Sequence, residues 1–249
     1  MLISVVTCTW NSMATLAQTV ASVQAQLGCA YEHIFVDGGS TDGTLEYLKA
    51  LPGSPRILEG VGGGIAHAMN TGAEAATGEF LCHLHSDDYF LHPRVLARVH
   101  AHLQAQPADW LFGRVLFDHD GALVPEPFIV PSYSYGNLVK RNFVPHPATF
   151  IRATVFRELG GFRRDLKFAM DYEFFLRLGR AHPPLALREA LSVFRVHEGS
   201  TTVKNQLASF EEDHAVRRRY MGTGLVEQFA HKLRYLVRRR RLLASLAKG

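Results

Sequence analysis

Three apolar runs in the first half of the chain each stop on a small polar or acidic residue. Residues 3–9 are rich in β-branched side chains and end at Thr9. Residues 33–36 end at Asp37, and residues 79–84 run into Ser86-Asp87-Asp88. Between them apolar residues recur at helical spacing: Leu16, Val20, Val23 and Leu27, then Leu45, Leu48 and Leu51, then Ala66, Met69 and Ala73. A short strand is expected around Arg56–Leu58, and Asn11-Ser12 suits the cap of the first helix. Strands alternating with helices specify an α/β fold with a doubly wound, mostly parallel sheet. Such sheets bind ligands beyond the carboxyl ends of their strands, where Thr9, Asp37, Asp87 and Asp88 stand.

The second half is less regular. A helix over 94–104, a strand over 110–117, a helix over 168–178 and a strand over 191–194 are expected. No linker interrupts residues 1–204, which read as one domain, followed by a basic, helical C-terminal region, 205–249. The 249 residues are 47% hydrophobic and 20% charged, which excludes disorder and is ample for a buried core. No apolar run approaches the roughly 18 residues that span a bilayer, and no secretory signal pattern opens the chain. Cys8, Cys29 and Cys82 lack metal spacing and read as reduced thiols, so a cytoplasmic location is expected. Residues 217–249 hold ten Lys/Arg against the single acid Glu227, whereas residues 1–216 are net acidic. The basic tail lacks the interleaved aromatics of a nucleic-acid reader, and no nucleic-acid partner is expected.

Each polar cluster admits two readings. Asp37 opens Asp-Gly-Gly-Ser-Thr-Asp-Gly-Thr44, which serves either as a tight turn or as an acceptor for a nucleobase N–H. Adjacent Asp87 and Asp88 repel one another, so burial demands a cation such as Mg²⁺ or Mn²⁺; the alternative is a solvated turn. Residues 60–64 are glycine-rich and precede a helix, which suits either an anion site or a flexible turn. Asp171 sits among Phe168, Phe174 and Phe175, where it is either a general base or the partner of Arg177. Arg195 and His197 share one side of a strand end and suit a phosphate or a metal, or a structural role.

The order of these clusters closely resembles family 2 glycosyltransferases. Thr7-Cys-Thr-Trp-Asn11, the turn 37–44, Ala68-Met-Asn-Thr-Gly72, Ala76-Thr-Gly-Glu79 and Leu84-His-Ser-Asp-Asp88 follow in sequence. Gly160-Gly-Phe162, Met170-Asp171-Tyr-Glu173 and Phe194-Arg-Val-His197 continue the match. The resemblance implies a GT-A fold and inverting transfer from a nucleotide-diphosphate sugar, with a UDP-sugar favoured and Mn²⁺ or Mg²⁺ as cofactor. It implies nucleotide-sugar contacts at Thr9, Asp37, Asn70, Asp87 and Arg195, metal ligands at Asp88 and His197, and the catalytic base at Asp171. The acceptor implied is a glycan or lipid-linked glycan, as in polysaccharide synthesis. A metal-dependent nucleotidyltransferase and a non-catalytic nucleotide-sugar binder stay open as alternatives.

In the tail, Leu225, Phe229, Leu233, Leu236 and Leu243 fall on one face of a helix, with Arg238, Arg239, Arg240 and Arg241 breaking into it. Two expectations follow: the stripe docks on the catalytic domain, or it makes a peripheral contact with an anionic membrane through 225–249, at the inner face of the cytoplasmic membrane.

Overall fold

The computed structural model describes residues 1–126, 129–197 and 205–246. In chain order the strands are β1 Leu2–Thr9, β2 Ala30–Asp37, β3 Arg56–Leu58, β4 Phe80–His83, β5 Tyr89–Phe90, β6 Trp110–His119, β7 Ala122–Pro125, β8 Thr149–Arg152 and β9 Leu185–Arg195. The helices are α1 Met13–Gln24, α2 Thr44–Lys49, α3 Ile65–Ala75, α4 Val95–Ala105, α5 Tyr135–Lys140, α6 Ala153–Glu158, α7 Met170–Ala181, α8 Gln206–Tyr220 and α9 Leu225–Leu246, with a 3₁₀ turn at His146–Ala148.

The sheet runs β3-β2-β1-β4-β8-β6-β9-β5, with β7 added to β6. Its first four strands are parallel, as the alternating pattern demands. From β8 onward the pairing is mixed: β8 is antiparallel to β4 and β6, while β6 and β9 run parallel. β1 is buried on both faces from Ile3 onward, which is why its sequence is a nearly continuous apolar run. Helices cover both sides. Phe80, Val95, Val99, Leu111 and Phe150 fill one core, Trp110, Phe162, Phe174 and Phe175 the other, and Leu16, Val20, Phe35 and Leu48 seat α1 and α2. Gly72 lets α3 lie directly on the sheet, since a Cβ there would meet Val6 at 2.3 Å.

Two local expectations change. α1 stops at Gln24, so Leu27 lies beyond the helix and is exposed; Gly28, in the left-handed region at φ 76°, turns the chain there. Ser12 precedes α1, but its hydroxyl accepts the Trp10 N–H (3.1 Å) and the Ser86 hydroxyl (2.8 Å) instead of capping the helix.

The expected domain boundary at 204/205 falls beside residues 198–204, outside the described residues. On its far side, α8 belongs to the main core: Val216, Tyr220 and Met221 pack into it. α9 lies outside that core and rests on α8.

Candidate active site

The sheet brings the acidic and basic motifs together. β1 and β2 end in register, so Thr9 stands beside Asp37. β5 pairs antiparallel with β9, placing Tyr89 opposite Val193. That pairing carries the segment after β9 back to the acidic loop after β4. His197 Nε2 then lies 3.0 Å from Asp87 Oδ2, although 110 residues separate them.

These ends open into a cavity of about 780 Å³. Thr9, Trp10, Asn11 and Gly38 line one wall, and the turn Gly62-Gly63-Gly64 with the start of α3 lines the next. His85, Asp87, Asp88 and His197 form the acidic wall, with His146 against His85, and Lys167, Phe168 and Asp171 complete the lining. Thus Thr9, Asp87, Asp88, His197 and Asp171 line one cavity.

Three expected contacts are not brought there. Asp37 is fully buried behind the wall, and it is Gly38 that faces the cavity. Asp37 Oδ1 accepts the N–H groups of Gly39 and Ser40, both at 2.9 Å. Its Oδ2 accepts the hydroxyls of Ser40 (2.6 Å) and Thr9 (2.8 Å). Burial pushes this carboxyl up, but the donors outweigh it and hold it below the usual range. Asn70 faces away as well: its amide clasps the Phe162 backbone through both atoms at 2.8 Å, tying α3 to the Gly160-Gly161 turn. Arg195 braces the acidic loop instead of lining the cavity. Its Nε donates to the Asp87 carbonyl (3.1 Å), its guanidinium reaches Gln18, and its backbone N–H donates to Asp88 Oδ1 (3.2 Å).

Among the described residues, Asp88 is a buried carboxylate left unsatisfied. It is buried, and its Oδ2 has no hydrogen-bond partner. Burial, and then the neighbouring Asp87 carboxylate, push its pKa well above the usual range. A buried oxygen in that state fits a hard divalent cation, which binds one or two carboxylates and completes its shell with phosphate and water. Among the described residues, no three His, Cys, Asp or Glu side chains converge as a closed metal cage.

Asp171 occupies the first turn of α7, where Tyr172 N–H donates to its Oδ1 at 2.6 Å. Burial raises its pKa to about 6, against the Tyr172 N–H and the Asn142 side chain, which hold it down. At neutral pH such a carboxylate is ionised, yet more basic than an ordinary one.

The structure adds residues that the motifs alone did not single out. Glu212 of α8 accepts the N–H groups of Lys167 (3.0 Å), Phe168 (2.5 Å) and Ala169 (2.8 Å), capping α7 just before Asp171. Burial, and then Asp171, push the neighbouring Asp213 to about 7. His146 stacks on His85 with ring centroids 5.0 Å apart, and neither ring nitrogen has a partner. Burial, followed by His85 and His83, keeps the His146 ring neutral. Trp10, 71% exposed, stands at the cavity rim. Trp10 and His85 lay inside recognised motifs; no sequence signal ties α8 to Asp171, about 40 residues before Glu212.

The profile of Glycosyl transferase family 2 matches residues 4–158. An uncharacterized glycosyltransferase of Mycobacterium tuberculosis is 35% identical over 198 residues, covering 77% of this chain and 74% of the relative. Chondroitin synthase of Pasteurella multocida is 28% identical over 86% of this chain, which spans only 22% of that protein. Among solved structures, TarS 1–349 of S. aureus with UDP-GlcNAc superposes with a TM-score of 0.71 at 22% identity, over 87% of this chain and 65% of that one. A mannosyltransferase of Pyrobaculum calidifontis with GDP-Man and Mn²⁺ gives a TM-score of 0.71 at 17% identity, over 99% of this chain and 74% of that one. The architecture is the GT-A fold of these enzymes.

Proposed function

Since the chain belongs to glycosyl transferase family 2, we propose that it transfers a sugar from a nucleotide-diphosphate donor, a UDP-sugar favoured, to an acceptor hydroxyl with inversion. The observation that supports this reading is one cavity holding an unpartnered, buried Asp88 oxygen on one wall and the basic carboxylate Asp171 on another. The nucleotide lies along Thr9, Trp10 and Gly38. Asp37 acts on it by ordering the turn that it holds with three hydrogen bonds, and by a fourth from Thr9. The diphosphate lies toward Asp87 and Asp88, beside the start of α3, whose N-terminal dipole favours an anion.

Asp88, with His197 nearby on Asp87, would hold Mn²⁺ or Mg²⁺. When bound, such an ion offsets the charge that gathers on a departing diphosphate. Asp171 takes the acceptor's proton as the acceptor oxygen attacks the anomeric carbon from the face opposite the diphosphate. The new C–O bond forms as the bond to the diphosphate breaks, so the anomeric centre inverts and no covalent sugar–enzyme adduct forms. His146, neutral and with unpartnered nitrogens, offers a hydrogen bond to a sugar hydroxyl. The acceptor is a glycan or lipid-linked glycan, reached by peripheral contact with an anionic membrane through 225–249.

A donor screen tests the reading. UDP-sugars and GDP-sugars are incubated with Mn²⁺ and candidate acceptors, and released UDP or GDP is measured. Release from one donor, increased by acceptor, supports it; no release from any donor with a range of acceptors contradicts it.

A further inference from the structure

α9 is held to the protein by its less apolar side. Tyr235 stacks on Phe210 of α8 with centroids 5.5 Å apart, and on His214 at 3.9 Å. Arg239 Nε donates to Glu211 at 3.0 Å, and His231 is buried. Residues 231, 235 and 239 recur every four positions and mark one line along the helix. The leucine stripe faces away from that line, roughly 110° round the helix. Leu225 is 84% exposed, Phe229 70%, Leu233 53% and Leu236 51%, and Val226, Val237 and Leu243 are exposed beside them.

So the helix docks, but not by the face that a buried helix would use. Packing accounts for the inner line and leaves a row of apolar side chains in water along roughly 33 Å of helix. At 100° per residue, Arg234 and Arg241 flank the row on one side and Lys232 on the other, while Arg240 falls within it. Among the described residues, no helix is long and apolar enough to cross a membrane.

We propose that this outward face of α9 is an interfacial membrane contact: Leu225, Phe229, Leu233 and Leu236 enter the acyl boundary and the flanking basic residues meet anionic headgroups. Charge selects the occupant. A second copy of α9 would bring two arginine-flanked rows together and repel, whereas an anionic bilayer is complementary to both the row and its flanks. Arg240 reaches back to the headgroups along its aliphatic stem. The contact reaches the site through α8, which lies between α9 and α7. Asp171 on α7 and the apolar row on α9 are thus joined through one intervening helix, which suits an acceptor glycan carried on a lipid. This deepens the glycosyltransferase reading and rests on it for the acceptor, though not for the membrane contact itself.

Vesicle co-sedimentation of the full chain tests the proposal without catalysis, so a failure of the glycosyltransferase reading leaves this result interpretable. The probes are vesicles of phosphatidylcholine alone and of phosphatidylcholine with phosphatidylglycerol. The variant is Phe229→Glu with Leu236→Glu, two exposed positions, with thermal unfolding as the check on folding. Expected are binding to the anionic vesicles only, its weakening by salt, and at least a tenfold loss in the folded variant. A folded variant that binds like the parent overturns the proposal, as does a parent that ignores anionic vesicles. A parent that sediments as a dimer which the variant dissociates also overturns it, because a second copy then covers the row.

Discussion

Two apolar parallel strands, β2 and β4, each lead to an aspartate, Asp37 as the last residue of β2 and Asp88 five residues beyond β4, and the two carboxylates are in opposite states. Asp37 accepts four hydrogen bonds from its own turn and from Thr9, and its carboxyl is held low. Asp88 keeps one buried oxygen without a partner, and its carboxyl is held high by burial and by Asp87. Both are buried, so burial does not separate them; satisfaction does. A saturated carboxylate has finished its work on folding, and an unsatisfied one is completed by a ligand.

The largest expected effect comes from breaking the unsatisfied member. Asp88→Ala should abolish Mn²⁺-dependent turnover while the protein stays folded, read by nucleotide release and thermal unfolding. Next, Asp171→Asn should lower kcat by about 10²–10⁴-fold with donor affinity retained; equal losses in donor affinity and turnover would move the base elsewhere. Asp37→Ala should act through the fold, costing about 2 kcal/mol of stability from stranded donors. For a chain of this size that is a fall of roughly 4–8 °C in Tm, and an unchanged Tm would mean that Asp37 does not hold its turn.

Smaller effects sharpen the contrast further. Trp10→Ala should weaken nucleotide binding by about 1–2 kcal/mol if the base stacks on the indole, with kcat unchanged; calorimetry with UDP reads it. Asp213→Asn should have the smallest effect. Asp213, raised to about 7, is mostly protonated where Asp171 titrates near 6, so a neutral Asn there should leave the acid limb of kcat, expected near pH 6, in place. The stability sign is opposite to that of Asp37. Carboxyls raised on folding, Asp171 to about 6 and Asp213 to about 7, contribute stability below about pH 4 that is lost as pH rises through those values. Asp213→Asn should therefore flatten the decline in Tm over that window.

The parallel half and its strand-end residues were legible because strand and helix periodicity are local signals, and Thr9, Asp87 and Asp88 follow directly from them. The satisfaction of each group was not legible. That Asp37 is saturated by Gly39, Ser40 and Thr9, and that Asn70 is spent on Phe162 some 92 residues away, depends on contacts that no spacing encodes. The same holds for Arg195, whose strand-end position was readable but whose direction toward Asp87 and Gln18 is set by the β5–β9 pairing. The tail shows the limit differently. Its apolar stripe was visible, but the choice of inner face came from Tyr235 finding Phe210 and His214, an interhelical fit that amphipathicity alone does not specify.

Isothermal titration of UDP into Asp88→Asn, with and without Mn²⁺ and beside Asp171→Asn, tests the central claim most directly. The account predicts that Mn²⁺ strengthens UDP binding in the parent and in Asp171→Asn, and that this gain disappears in folded Asp88→Asn. A Mn²⁺-dependent gain that persists undiminished in Asp88→Asn would contradict it.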